Sequence, residues 1–230
     1  MLNIGGFQKT TLLDFPGKLA STVFLGGCNF RCPFCHNSDL FAPEEVLDEE
    51  GVLSAIEKRK NIIDGVAITG GEPTLSDGLP DFMKKIKDMG LLVKLDSNGY
   101  KPDTLKSIIE AGLVDYVAMD IKAAPDRYGV VCGVPNLDIS RIEKSIDLLM
   151  NGSLDFEFRT TVVPGLHEER DFEEIAKWIA GNEKYFLQGY VDSEMVLDGD
   201  GFTKPSLEYM EHLQSIMLPL VPNTKIRGVE

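Results

Sequence analysis

The chain has one tryptophan, three histidines and four cysteines in 230 residues. Three of the four cysteines crowd between positions 28 and 35. A small secreted scaffold spreads its disulfide cysteines along a shorter chain, so this cluster reads as metal or redox chemistry instead. Basic residues are in deficit, 23 Lys and Arg against 37 Asp and Glu, for a net charge of −14. That charge repels phosphate backbones and argues against a broad nucleic-acid binder. Long apolar runs are missing too. Residues 216–221 form one of the longest, far short of the roughly 20 that cross a bilayer. The opening Met1-Leu2-Asn3-Ile4-Gly5-Gly6 lacks the basic-then-apolar layout of a secretory signal. The expectation is a cytoplasmic protein with no membrane partner.

Hydrophobic residues at 43% and charged residues at 26% are enough for a sizeable core. No repeat, low-complexity tract or long linker interrupts the chain, which reads as one domain with a leader over 1–20. Short apolar runs fall at 22–25, 65–69, 91–96, 116–121, 156–163 and 185–191, with a short final strand at 225–229. Several are near-continuous, as parallel strands buried on both faces require. Helical punctuation lies between them. Asp48 caps a stretch reaching residue 60. Leu79, Phe82, Met83, Ile86 and Met89 make one apolar face that Gly90 stops. Pro102 fits the first turn of a helix ending near Gly112. Ile139, Ile142, Ile146 and Leu149 stripe another, ending at Asn151-Gly152. Asp171 and Glu174 resemble a capping box opening a helix that Gly181 closes. Pro205 opens the last, with Leu207, Met210 and Leu213 on one face. Six βα units in register predict a parallel sheet with right-handed crossovers. A full eight-unit barrel takes about 250 residues, so an α/β partial (βα)6 TIM-like barrel over 21–230 fits better. A doubly wound open sheet is the alternative. In either case ligands belong at the C-terminal strand ends.

The first such end reads Gly26-Gly27-Cys28-Asn29-Phe30-Arg31-Cys32-Pro33-Phe34-Cys35-His36-Asn37. Cysteines spaced by three and then two residues can wrap three thiolates around one inorganic centre. A [4Fe–4S] cube commonly takes four cysteines, so three leave one iron open to a small-molecule ligand. Zinc held by Cys28, Cys32, Cys35 and His36 is the competing reading, made awkward because His36 adjoins Cys35. Three buried thiols without function are the third. The second strand end reads Ile68-Thr69-Gly70-Gly71-Glu72-Pro73-Thr74. Its paired glycines let the backbone approach a ligand, and the Glu72 carboxylate could hold a cationic amino group. A plain tight turn would explain the same residues.

Together the two segments resemble the radical S-adenosylmethionine superfamily. The resemblance implies a partial (βα)6 barrel, one [4Fe–4S] cluster on Cys28, Cys32 and Cys35, and S-adenosylmethionine chelating the open iron. It implies one-electron cleavage of that cofactor to methionine and a 5′-deoxyadenosyl radical, which takes a hydrogen atom from substrate. It also assigns cofactor contacts. Gly70, Gly71 and Glu72 meet the methionine amino group. Phe34 stands where the family packs an aromatic near the adenine, and His36 follows the last cysteine as in the activating-enzyme branch. Ser97-Asn98-Gly99 ends the third strand, where the family contacts ribose or carboxylate; an ordinary turn reads the same way. Asp120 and Lys122 resemble the DxK element of glycyl-radical activating enzymes. Arg159, on the next strand, matches an arginine of that branch and suits a carboxylate. Asp120 and Lys122 share a strand face and would serve equally as a simple ion pair.

Residues 6–18 and the terminal Lys225-Ile226-Arg227-Gly228-Val229 resemble the longer activating proteins of anaerobic ribonucleotide reductase. The implied partner is that glycyl radical enzyme, with a flavodoxin or ferredoxin as electron donor. Activation of pyruvate formate-lyase or a small-molecule reaction is the nearer rival, and a non-enzymatic zinc module the distant one. Late in the barrel, where many activating enzymes place a histidine, this chain has Gln188. Cys132 reads as a small buried hydrophobe; His167 and His212 read as surface or helix residues without a role.

Overall fold

Strand and helix alternate along the chain because the apolar pattern switches repeatedly between continuous runs and helical stripes. The computed structural model describes residues 2–192 and 196–229. The chain packs as two compact units, the first built from 1–29, 39–118 and 152–155, the second from 30–38, 119–151 and 156–230.

The first unit runs β1 (Ile4–Thr11), β2 (Ala20–Leu25), α1 (Glu49–Glu57), β3 (Gly65–Gly70), α2 (Leu79–Asp88), β4 (Leu92–Ser97), α3 (Pro102–Glu110) and the first three residues of β5 (Tyr116–Asp120). β2, β3 and β4 pair in parallel, with Val23 level with Ile68 and Ile68 level with Leu95. Five of the six β2 residues and the first four of β3 are buried, which is why these runs carry no polar alternation. Asp48 caps α1 as expected, its carboxylate accepting the Gly51 N–H at 2.8 Å. Leu79, Phe82, Met83 and Ile86 form the buried face of α2, and Pro102 opens α3. The leader is not a tail: β1 pairs antiparallel with β2. Its Ile-Gly-Gly-Phe-Gln-Lys-Thr-Thr sequence carries two glycines and polar residues, so it gives no strand signal on its own; pairing with a buried strand overrides propensity.

The second unit takes the end of β5 and continues through α4 (Tyr128–Val131), α5 (Ile139–Met150), β6 (Asp155–Val162), α6 (Glu169–Trp178), β7 (Tyr185–Gly189), α7 (Leu207–Met217) and β8 (Lys225–Arg227). β6, β7 and β8 pair in parallel. Two helix starts differ from expectation. α6 begins three residues earlier than its Asp171 suggested, because Asp171 is the third helical residue and its carboxylate reaches back to the Glu168 N–H at 2.8 Å. α7 is capped by Ser206, which accepts the Tyr209 N–H at 3.1 Å, leaving Pro205 outside the helix. β7 stops at Gly189, two residues short of the expected end. On one face of β6–β8, Arg227 makes a paired bond to the buried Glu157 carboxylate (2.9 and 3.2 Å) and stacks 3.2 Å over Phe186. Among the described residues, no helix is long and apolar enough to cross a membrane.

Candidate functional site

In the first unit, the ends of β2 and β3 are sewn together by backbone. Gly71 N–H donates to the Leu25 carbonyl and Glu72 N–H to the Gly27 carbonyl, both at 2.8 Å. The approach is so close that a Cβ on Gly71 would stand 2.0 Å from the Gly27 oxygen. Gly70, at φ +118°, would place its Cβ 2.4 Å from the Leu25 oxygen. The glycines are therefore required first by the chain's own backbone.

Glu72 also turns inward. Its carboxylate accepts Thr74 N–H (3.0 Å), the Thr74 hydroxyl, the Ser97 hydroxyl (3.0 Å) and Asn98 N–H (2.6 Å). It is 1% exposed. Burial raises its carboxyl above the ordinary range, and these four donors pull the other way. Sequence reasoning gave this carboxylate to a cationic ligand; the structure spends its lone pairs on tying the end of β3 to Ser97 and Asn98. Asn98 passes the connection on, its amide donating to Asn29 Oδ1 at 2.9 Å. Asn29 follows Cys28, and its own Nδ2 is buried with no hydrogen-bond partner among the described residues.

The second unit holds the rest of the cysteine loop. Arg31 N–H donates to the Cys132 carbonyl (2.9 Å), and the Leu197 and Asp198 N–H groups donate to the Cys35 and Pro33 carbonyls (3.0 and 2.9 Å). Gly133 lies against this loop, where a Cβ would stand 2.3 Å from the Arg31 oxygen. Cys32 is buried, Cys28 and Cys35 partly so, and none of the four cysteines is in a disulfide. Cys132 is fully buried, as expected. Among the described residues, no three His, Cys, Asp or Glu side chains converge on a point where one metal ion would sit. A cubane is a larger object, and its thiolates stand around it rather than meeting.

Asp120 ends β5 between two cations, accepting Arg159 Nε at 2.6 Å and Lys122 Nζ at 2.9 Å. Burial alone would raise its carboxyl, but the Arg159 and Lys122 charges outweigh that and hold it well below the carboxylate range. Burial likewise disfavours the Lys122 ammonium, yet Asp120, and after it the Cys32 sulfur, hold it above its ordinary value. Lys122 also stands 5.8 Å from the centre of the buried Phe34 ring. His36 is exposed. Gln188 lies half-buried on β7, level with Thr161 and Arg227.

His167 is the residue the sequence did not reveal. It is buried rather than on the surface. Its Nδ1 accepts the Val163 N–H at 3.1 Å, so Nε2 carries the proton and donates to the Lys122 carbonyl at 2.8 Å. Its ring meets Phe34 edge-on at 6.0 Å. The cue, a histidine five residues beyond the end of a strand across Pro164-Gly165, has no recognisable spacing. His212 is the exposed helix residue expected, 3.1 Å from Glu169. Burial lowers the His167 imidazole below its ordinary 6.5. The folded chain then binds fewer protons than the unfolded one below that value, so this part of the stability is present above pH 6.5 and lost as pH falls. His167→Gln is expected to flatten the loss of thermal midpoint between pH 6.5 and 5. An unchanged slope would show that the ring is not held neutral.

The model of the radical SAM superfamily matches residues 22–179. A candidate glycyl-radical enzyme activating enzyme of Methanocaldococcus jannaschii is 34% identical over 98% of this chain and 96% of its own. The pyruvate formate-lyase-activating enzyme of Clostridium pasteurianum is 29% identical over 83% of this chain and 82% of its own. Among solved structures, Streptococcus suis SuiB bound to S-adenosylmethionine superposes with a TM-score of 0.68 at 13% identity, over 87% of this chain. The chain spans about half of that protein, 48% of its length. The likeness in structure places the expected α/β partial barrel in the fold of these enzymes.

Proposed function

Because the chain belongs to the radical SAM superfamily, we propose that it is a glycyl-radical enzyme activase whose target is anaerobic ribonucleotide reductase. The observation that carries the activase reading is the end-to-end match to a candidate protein of that kind, 98% of this chain against 96% of the relative. The leader and the terminal Lys225–Val229 segment support the choice of partner.

The residues fit the implied cofactors. Three thiols without an obvious fourth donor suit a [4Fe–4S] cluster with one open iron. The Cys32 sulfur lies close enough to Lys122 to help hold the ammonium in its charged form. A buried amide with an unused donor adjoins Cys28. When bound, the cluster and S-adenosylmethionine supply one-electron cleavage of the sulfonium to methionine and the 5′-deoxyadenosyl radical that takes the glycine hydrogen. The chain's own part is positioning. Cys28, Cys32 and Cys35 hold the cluster. Gly70 and Gly71 present backbone to the methionine end, and Glu72 keeps that turn in register with Ser97 and Asn98. Asp120 fixes the directions of Lys122 and Arg159, whose N–H groups suit the cofactor's carboxylate. Phe34 packs beside the adenine, and His36 borders the loop's open side. The electron comes from a flavodoxin or ferredoxin in the cytoplasm.

Similarity to the Clostridium pasteurianum enzyme favours pyruvate formate-lyase as the second candidate target. The reconstituted protein, reduced and given S-adenosylmethionine, is expected to raise a glycyl radical resonance on anaerobic ribonucleotide reductase. A radical on pyruvate formate-lyase alone would transfer the assignment. Cofactor cleavage with no radical on either would remove the activase reading.

A further inference from the structure

The polar ends of Asn29, within the cysteine loop, are treated unequally. Its Oδ1 accepts the Asn98 amide at 2.9 Å, while its Nδ2 is buried and meets no acceptor among the described residues. Buried donors are ordinarily paired, and leaving one without an acceptor is costly. The orientation of this amide is not arbitrary. Turning it over would set its NH2 against the NH2 of Asn98, so the Asn98 bond fixes which end is left. Asn98 is held in turn, its backbone N–H bound to Glu72 Oε2 at 2.6 Å and its Oδ1 accepting Tyr100 N–H at 3.0 Å. A rigid line therefore runs from Glu72 through Asn98 to Asn29, and it ends in a donor next to Cys28.

We propose that Asn29 is a positioning residue whose Nδ2 donates a hydrogen bond to an anionic acceptor of the loaded site. This inference rests on the radical SAM reading above. Two acceptors have the right chemistry: a cluster or cysteine sulfur, and the carboxylate of S-adenosylmethionine. A donor on a sulfur stabilises the more negative, reduced cluster and raises its potential. A donor on the carboxylate strengthens cofactor binding without moving the potential of the cofactor-free cluster.

The test uses the anaerobically reconstituted full chain, Asn29→Asp and Asn29→Ala. The first keeps an oxygen for Asn98 and removes the donor; the second removes both without adding charge. Iron content, the cluster midpoint potential without S-adenosylmethionine, and the cofactor concentration that half-saturates the change in the reduced-cluster resonance are read for each. If sulfur is the acceptor, both variants lower the reduced-to-oxidised ratio at fixed potential by about tenfold, a shift of about 59 mV for one electron. If the carboxylate is the acceptor, the potential holds and half-saturation rises about tenfold in both. Wild-type values on both readouts would overturn the proposal and leave Asn29 as a prop for Asn98. A change confined to Asn29→Asp would do the same, because added charge alone would explain it. Should the Asn29 variants fail to take up iron, Asn98→Ala keeps the donor but releases its orientation. It is expected to move the same readout in the same direction by a smaller factor, and no movement there overturns the inference. A wild-type chain that assembles no redox-active cluster would instead sink the superfamily chemistry proposed for this chain, and the inference with it.

Discussion

Cys32→Ala is expected to give a folded, nearly colourless protein that no longer cleaves S-adenosylmethionine. Cys32 is buried inside the loop, beside the Lys122 ammonium that its sulfur helps hold charged. Removing it leaves two thiols, too few to hold a cube with one open iron. Iron per reconstituted chain should fall from about four to below about one. The comparison that gives this result meaning is Cys132→Ala. Cys132 is fully buried too, but it lies outside the CxxxCxxC loop, and its backbone carbonyl accepts the Arg31 N–H of that loop. That variant should keep its iron and its colour and lose about 1 kcal/mol of packing. Iron analysis, the reduced-cluster resonance and urea unfolding on both variants separate the two roles. Equal iron loss in both would mean that the loop's packing, rather than its three thiols, decides cluster uptake.

The contrast between those cysteines shows what a sequence can disclose. Local spacing was legible: the CxxxCxxC loop, the Gly70-Gly71-Glu72 turn, and the Asp120–Lys122 ion pair all lie within a few residues, although β5 ends at Asp120 and the pair shares no strand. The buried strands were legible because continuous apolar runs leave few alternatives. Long-range pairing was not. The Glu72 carboxylate satisfies donors 25 and 26 residues away, and no local pattern distinguishes it from one aimed at a ligand. His167 reaches a carbonyl 45 residues away. β1 has polar residues and glycines because an edge strand needs only one buried face, which leaves little for propensity to detect. The α6 start was misread because Asp serves at both the cap and the third helical position, and the box reads identically in either register until Glu168 is seen to begin it.

Asp120→Asn is expected to cost stability and cofactor binding together. Asp120, Arg159 and Lys122 expose only 23%, 20% and 16% of their side chains. Asparagine keeps the shape and one acceptor oxygen but removes the carboxylate charge that both cations bond. Breaking a buried pair by removing one partner costs about 3–5 kcal/mol because it strands the other charge. The residual exposure here brings the expectation to about 2–4 kcal/mol at neutral pH. Arg159→Lys keeps the charge balance and loses the planar fork, so about 1 kcal/mol is expected. The pH dependence identifies the cause. The folded carboxyl is held below its ordinary 3.8, so the folded chain binds fewer protons than the unfolded one below that value. The contribution of Asp120 is therefore complete above about pH 5 and is lost as pH falls through 3.8 toward the folded value. The gap between wild type and Asp120→Asn in urea unfolding should be constant from pH 7 to 5 and should narrow below pH 4. A gap that ignores acid would assign the loss to a misshapen loop instead of a missing charge. If Lys122 and Arg159 hold the cofactor's carboxylate as proposed, cofactor binding is expected to weaken alongside stability, because Asp120 no longer fixes either cation.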